Sequence, residues 1–229
     1  MQKKLVIAID GPAGAGKSTV AQKLAKKLGY INLETGAMYR ALALKALESG
    51  TYLGDGTQLR ALAESSRIDL EPTPAGNRVL LDGRDVSTRI RERDVTDAAS
   101  RVSTHAEVRE WMVNRQREMG VGGGVIMEGR DIGTVVFPNA EVKIFLDADQ
   151  SVRANRRIIQ NNATGDANAA AKLVADLAER DRRDSTRAVA PLTPAADAIH
   201  IDSSHMTLEQ VIAEAERIVE TKLAQVASK

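Results

Sequence analysis

The chain of 229 residues contains no cysteine, which excludes disulfides, thiolate metal sites and a cysteine nucleophile. Aromatic residues make up only 3% of it against a hydrophobic share of 43%. The core must therefore be built from Val, Ile, Leu and Ala, and platforms for stacking single-stranded bases are scarce. Charge of one sign is lacking too: 32 Lys and Arg against 31 Asp and Glu leave a formal net charge of +1, without the overall basicity that marks a nucleic-acid binder. Long apolar runs are also missing. Met1-Gln2-Lys3-Lys4 leads into only five apolar residues before Asp10, too few for a signal segment, and no membrane-spanning run follows. These absences lead us to expect a soluble, cytoplasmic chain that binds neither membrane nor nucleic acid. None of His105, His200 and His205 has a metal-ligand spacing, so all three read as structural or exposed.

What is present alternates. Leu5-Val6-Ile7-Ala8-Ile9 is short, apolar and followed by Asp10-Gly11, the pattern of a buried parallel strand. Val20, Leu24 and Leu28, flanked by Ala21 and Ala25, recur at helical spacing up to Gly29, which stands where a helix stop is expected. Tyr30–Leu33, Val125–Met127, Val142–Leu146 and Ala198–Ile201 are further short strand candidates separated by helical pattern. Thr207-Leu208-Glu209-Gln210 predicts a capping box for a last helix with Val211, Ala215, Ile218, Val219, Leu223 and Val226 as its buried stripe. The expectation is an α/β fold with a parallel sheet. Two stretches break the alternation and read as insertions. Residues 67–93 suggest a β meander around Pro72, Pro74, Gly76-Asn77 and Asp82-Gly83. Residues 153–187 form an Arg-rich segment with a polar break from Asn161 to Asn168.

Gly11-Pro12-Ala13-Gly14-Ala15-Gly16-Lys17-Ser18 satisfies G-x-x-x-x-G-K-[ST] between a strand and an amphipathic helix. The mechanism requires that context: glycine backbone amides curl around phosphate oxygens and the helix N-terminus favours the anion. Lys17 is expected at the β- and γ-phosphates of a nucleoside triphosphate and the Ser18 hydroxyl at Mg²⁺.

Three further groups bear on what receives the phosphoryl group. Thr35-Gly36-Ala37-Met38-Tyr39-Arg40 and Glu128-Gly129-Arg130-Asp131 each follow a strand, at the sheet edge where α/β folds bind ligands. Arg153, Arg156 and Arg157, and again Arg180, Arg183, Asp184 and Arg187, are spaced to share a helix face. Of the 32 basic residues 21 are Arg, whose planar fork suits phosphate. Cations crowded on a face repel one another unless an anion binds, and a triphosphate under cleavage is such an anion. The combination suggests a kinase of a small phosphorylated acceptor, with the insertions as covers that exclude water. A GTPase switch would need N-K-x-D, which is absent. Kinases of shikimate or dephospho-coenzyme A remain nearer rivals, sharing the loop without needing the β-rich insert.

Ile9–Ser18, Thr35–Arg40, Gly129-Arg130-Asp131-Ile132-Gly133-Thr134-Val135-Val136-Phe137-Pro138, Lys143–Leu146 and Glu179–Ser185 together resemble, in order and nearly end to end, the bacterial cytidylate kinases, of the nucleoside monophosphate kinase family. The resemblance implies a three-layer P-loop core (1–35, 101–152, 188–229), a monophosphate-binding region with a β-rich insert (36–100) and a helical lid (153–187). It implies ATP as donor, CMP or dCMP as acceptor, Mg²⁺ as cofactor, and a monomer. The donor site would comprise Gly11, Pro12, Ala13, Gly14, Ala15, Gly16, Lys17, Ser18 and Thr19, with Arg153 and Arg157 from the lid. Ser100, Arg109 and Asp131 would read cytosine with Thr35 and Tyr39 nearby. Arg180 and Asp184 would contact the sugar, and Arg40, Arg130 and Arg187 would clamp the acceptor phosphate. Lys17, Arg130, Asp131 and Arg187 are the expected catalytic residues. Glu34 stands where the family pattern has Asp, and the lid segment 161–171 is rich in Asn and Ala where charged residues are usual.

Overall fold

The computed structural model describes residues 4–73, 76–161 and 163–227. Met1–Lys3 of the apolar-run argument, Pro74 of the meander turn and Asn162 of the polar break lie outside them. Five strands form a parallel sheet: β1 (Val6–Asp10), β2 (Ile31–Glu34), β6 (Val125–Gly129), β7 (Val142–Asp147) and β8 (Ile199–Asp202), in the order β2-β6-β1-β7-β8. β1 lies between β6 and β7, with Ile9 opposite both Glu128 and Ile144. A strand covered on both faces reads as continuous apolar sequence, and this explains the unbroken run before Asp10. Side chains alternate between the faces. Ile7 and Ile9 pack with Val20 and Leu24 of α1 (Lys17–Leu28) and with Val211, Ala215 and Ile218 of α8 (Leu208–Ala227). Ala8 and Met127 turn the other way, toward Val113 of α5 (Ala106–Gly120) and toward Ile132 and Val136.

A second core serves the region between β2 and α5. Leu42 and Leu44 of α2 (Thr35–Glu48), Leu59 of α3 (Gly56–Glu64), Val95 of α4 (Arg93–Val102) and Met112 of α5 are fully buried together. The sheet β3 (Ile68–Thr73), β4 (Gly76–Leu81) and β5 (Arg84–Asp85) is antiparallel and packs Ile68, Val79 and Leu81 into the same core. This is the meander expected over 67–93. The segment after β7 is α6 (Gln150–Gln160), a break, and α7 (Ala167–Thr186).

The local signals hold in detail. Gly29 adopts φ 66 as the α1 cap. Thr207 and Gln210 exchange the two bonds of a capping box, at 2.8 and 3.3 Å. One expectation is corrected. Arg187 does not extend the face of Arg180, Arg183 and Asp184, because α7 ends at Thr186 and Arg187 is its C-cap in an extended conformation. Its side chain donates to the Ala190 carbonyl, three residues further on, at 2.5 Å.

Candidate active site

All five parallel strands run the same way, so their C-terminal ends lie along one edge, where Asp10, Glu34, Glu128, Asp147 and Asp202 are gathered. The phosphate loop leaves this edge from β1. Gly11 has φ 147, and a Cβ there would stand 1.9 Å from the Leu146 carbonyl oxygen, so the loop closes only with glycine. Lys17 is buried and donates to the Pro12 carbonyl at 2.7 Å. Burial, and then the Arg130 charge beside it, push its ammonium down to about 7. Ser18 donates to Glu128 Oε2 at 2.8 Å, while Glu128 Oε1 is buried without a partner. Burial, and then the nearby Glu34 charge, raise Glu128 to about 7.

A cleft of about 1080 Å³ opens from the loop, with Lys17, Ser18, Arg40, Arg130, Arg157 and Arg180 on its walls. Gly14, Gly16 and Thr19 also reach it. The cations are less crowded than their spacing suggested, because the fold supplies carboxylates from elsewhere. Arg40 pairs with Glu34, which also meets Arg91 at 3.3 Å. Burial alone would raise Glu34, but the two guanidinium groups bring it below its usual value. Arg130 Nε donates to Asp184 at 2.8 Å. Burial would raise Asp184 too, and Arg130 with Arg180 pull it down. Arg183 pairs with Glu179 in its own helix and with Asp97 of α4. Arg180 makes no hydrogen bond or ion pair among the described residues and leaves its buried Nε unsatisfied. Burial, and then Arg130, lower it to about 10.

Beside the cleft is a drier group. Asp131 is 6% exposed, Arg109 3% and Arg187 8%. Arg109 donates to Asp131 Oδ2, and Arg187 Nη2 stands 3.7 Å from Oδ1 with no hydrogen bond of its own. Arg109 also lies 5.8 Å above the centre of the Tyr39 ring. The Ser100 hydroxyl is buried without a partner, and Ser100 is one of the residues lining the cleft. Thr35 donates to the Glu128 carbonyl at 2.7 Å and ties β2 to β6.

Most residues singled out from the sequence therefore meet at one edge. Arg153 does not reach the cleft wall. It is 7% exposed and stands behind the loop, bonded to the Ala13 carbonyl at 3.1 Å, the Ala148 carbonyl at 2.8 Å and Asp181 at 2.6 Å. Arg157 does line the cleft. Two carboxylates escaped the assignment of roles: Glu128, which faces Ser18, and Asp10. Each follows an apolar run at the C-terminal end of a strand beside or before the phosphate loop, and this placement is the signal that could have marked them.

Comparison with known proteins gives the family. A family model described as cytidylate kinase matches residues 7–221. A protein of Geobacillus kaustophilus named cytidylate kinase is 50% identical over 220 residues, 96% of this chain and 97% of its own. Another so named, from Pelotomaculum thermopropionicum, is 53% identical over 207 residues, 90% of this chain and 92% of its own. A solved shikimate kinase from Bacteroides thetaiotaomicron covers 95% of this chain and 97% of its own at 13% identity, with a TM-score of 0.48, a likeness too loose to bear on the acceptor. With a family match across almost the whole length and half the residues shared with named members, the chain belongs to the cytidylate kinase family.

Proposed function

We propose that this protein transfers the γ-phosphoryl group of ATP to CMP or dCMP. The observation that carries the acceptor is the buried Asp131 carboxylate paired with Arg109, next to an Arg-lined cleft that opens on the phosphate loop and is also lined by Ser100, whose hydroxyl is unpartnered. Cytosine offers an N4 amino donor beside the N3 and O2 acceptors. A carboxylate accepts from N4, and a guanidinium and a hydroxyl donate to the acceptors. Uracil turns its O4 acceptor toward the carboxylate and leaves buried groups unpaired, at a cost of about 1–3 kcal/mol.

In the reaction an oxygen of the acceptor phosphate attacks the γ-phosphorus while the bond to the β–γ bridging oxygen breaks, so ADP leaves as CDP or dCDP forms. Lys17 and the loop amides of residues 11–18 hold the donor phosphates, with Thr19 at the start of α1. Arg40, Arg130 and Arg187 bring in the acceptor phosphate against its repulsion by the donor. Arg180 and Asp184 hold the sugar, and Tyr39 with Thr35 walls the base. The acceptor phosphate replaces Glu34 as the partner of Arg40, and the donor phosphates restore full charge to Lys17. Positioning and charge neutralisation carry such a transfer without a strong base.

The Ser18 hydroxyl and the Glu128 carboxylate, with its unpartnered oxygen, fit a Mg²⁺ ion brought in by the triphosphate. Such an ion would supply charge neutralisation at the donor phosphates. Among the described residues no group of three or more His, Cys, Asp or Glu could hold a metal by itself, which suits an ion held largely by phosphate oxygens. Residues 36–100 and 153–187 are the closing parts, Arg157 reaches the donor phosphates, and Arg153 braces the loop from behind. No helix of the described residues is long and apolar enough to cross a membrane.

The test is ADP release with ATP, Mg²⁺ and each of CMP, dCMP, UMP, AMP and GMP, alongside Asp131→Ala. Fast turnover with CMP and dCMP, slow turnover with UMP, and loss of that preference in the variant are expected. Equal rates with all five would leave a phosphotransferase without a cytosine reader. No stimulation by any of them would promote the rival acceptors.

A further inference from the structure

Asp10 takes no part in the chemistry above, yet it is 5% exposed at the end of β1, directly before the phosphate loop. Its carboxylate reaches across to the turn that follows the neighbouring strand β6. One oxygen accepts the Ile132 N–H at 2.8 Å and the other the Gly133 N–H at 2.7 Å. These are the first amides of a five-residue π-helical turn, Ile132–Val136, and the leading amides of any helical turn lack acceptors within it. Asp10 therefore caps, from another strand, the turn that starts immediately after Asp131. The rest of the turn closes on Asp131 itself, whose carbonyl accepts from Val135 at 2.9 Å and Val136 at 3.2 Å. The fit is close, because a Cβ on Gly133 would stand 3.4 Å from Asp10 Oδ2 and 3.2 Å from Lys143.

We propose that Asp10 is a positioning residue for base discrimination: by holding the amides of Ile132 and Gly133 it fixes the backbone of Asp131, and so the aim of that carboxylate at the cytosine edge, to the strand that carries the phosphate loop. This rests on the cytosine reading given above. A carboxylate free to turn would tolerate uracil, because its unpaired oxygen could swing away from O4.

The test measures kcat/KM for CMP and for UMP in the wild type, Asp10→Asn, Asp131→Ala and the double variant. Asn keeps the size but must point an amino group at one of the two amides. The preference for CMP over UMP is expected to fall about tenfold in Asp10→Asn. No further fall is expected when Asp10→Asn is added to Asp131→Ala, since a residue acting through another shows full coupling. A merely structural Asp10 would lower the melting temperature and leave the ratio alone. An unchanged ratio in Asp10→Asn, or a loss that adds to that of Asp131→Ala, overturns the inference while leaving the cytosine reading intact. A wild type with no preference for CMP overturns both. Should Asp10→Asn not fold, Asp10→Ser, which keeps one acceptor, is put through the same comparison with the same expected loss.

Discussion

Lys17 has a carbonyl for its partner, and burial with the Arg130 and Arg180 charges outweighs the Glu128 and Asp10 carboxylates, which makes its proton sensitive to ligand. Its folded pKa of about 7 lies below the ordinary 10.5, so the neutral amine is favoured in the fold. The resulting penalty on stability is fully present below about pH 7 and is relieved as the pH rises toward 10.5. In the donor role proposed for Lys17, triphosphate oxygens would reverse the preference. At pH 8, without Mg²⁺, ATP binding is expected to take up close to one proton, read by titration calorimetry in two buffers of different ionisation enthalpy. Lys17→Ala is expected to abolish the uptake. Glu128 has the opposite character. Its folded pKa of about 7 lies above 4.5, so the stability it contributes is fully present below about pH 4.5 and lost as the pH rises through 7. Asp10, raised by burial from 3.8 to about 6, adds the same trend over a lower window. Glu128→Gln is therefore expected to raise the melting temperature of the ligand-free protein at pH 8 by several degrees. The gain should fade toward pH 4.5, while Mg²⁺-dependent turnover falls. A site that is costly to the empty fold and useful to the loaded one would show both changes in one variant.

At the level of elements, α6 and α7 play different parts. The root of α6 is bolted down: Arg153 ties it to the loop, and Arg156 donates to the Ser203 hydroxyl at 3.0 Å and carbonyl at 2.8 Å. α7 instead meets α4 across the cleft through Arg93–Asp176 and Arg183–Asp97, with a cation and an anion contributed from each side. Arg93 and Asp176 are about half exposed, so the pair is worth little in water and is screened by salt. Arg93→Asp is expected to raise KM for CMP by about twofold to fivefold at low salt, and Asp176→Arg in the same chain to restore it. At 0.5 M salt, a concentration that leaves about a 4 Å screening length, the three proteins should converge. Single elements were legible in the sequence because their signals are local: apolar strands before Asp10 and Glu128, a glycine cap at Gly29, a capping box at Thr207. The α4–α7 contact was not, because Arg93 and Asp176 are set opposite each other by two separate insertions.

Over the whole molecule, a net charge of +1 hides an uneven distribution. Arg40, Arg91, Arg130, Arg156, Arg157 and Arg180 all face one cleft. A field focused in this way steers anions in spite of overall neutrality. The association rate of a fluorescent ATP analogue, followed by stopped flow, is expected to drop about tenfold between 20 mM and 500 mM salt. A rate indifferent to salt would mean that the paired carboxylates cancel the field. The alternation of strands and helices, the phosphate-loop motif and the β-rich insertion were legible in the residues alone, because each is written in periodicity, glycine placement or a contiguous motif within a few residues. Only the tertiary structure decided that Asp131 meets Arg109 and Arg187, that Arg153 stands behind the loop, that Glu34 holds Arg40, and that Asp10 caps a turn 122 residues further along the chain. Those pairings depend on which strands lie side by side and which helix ends face one another. Buried charges must find partners wherever packing brings them, and no local pattern encodes that choice.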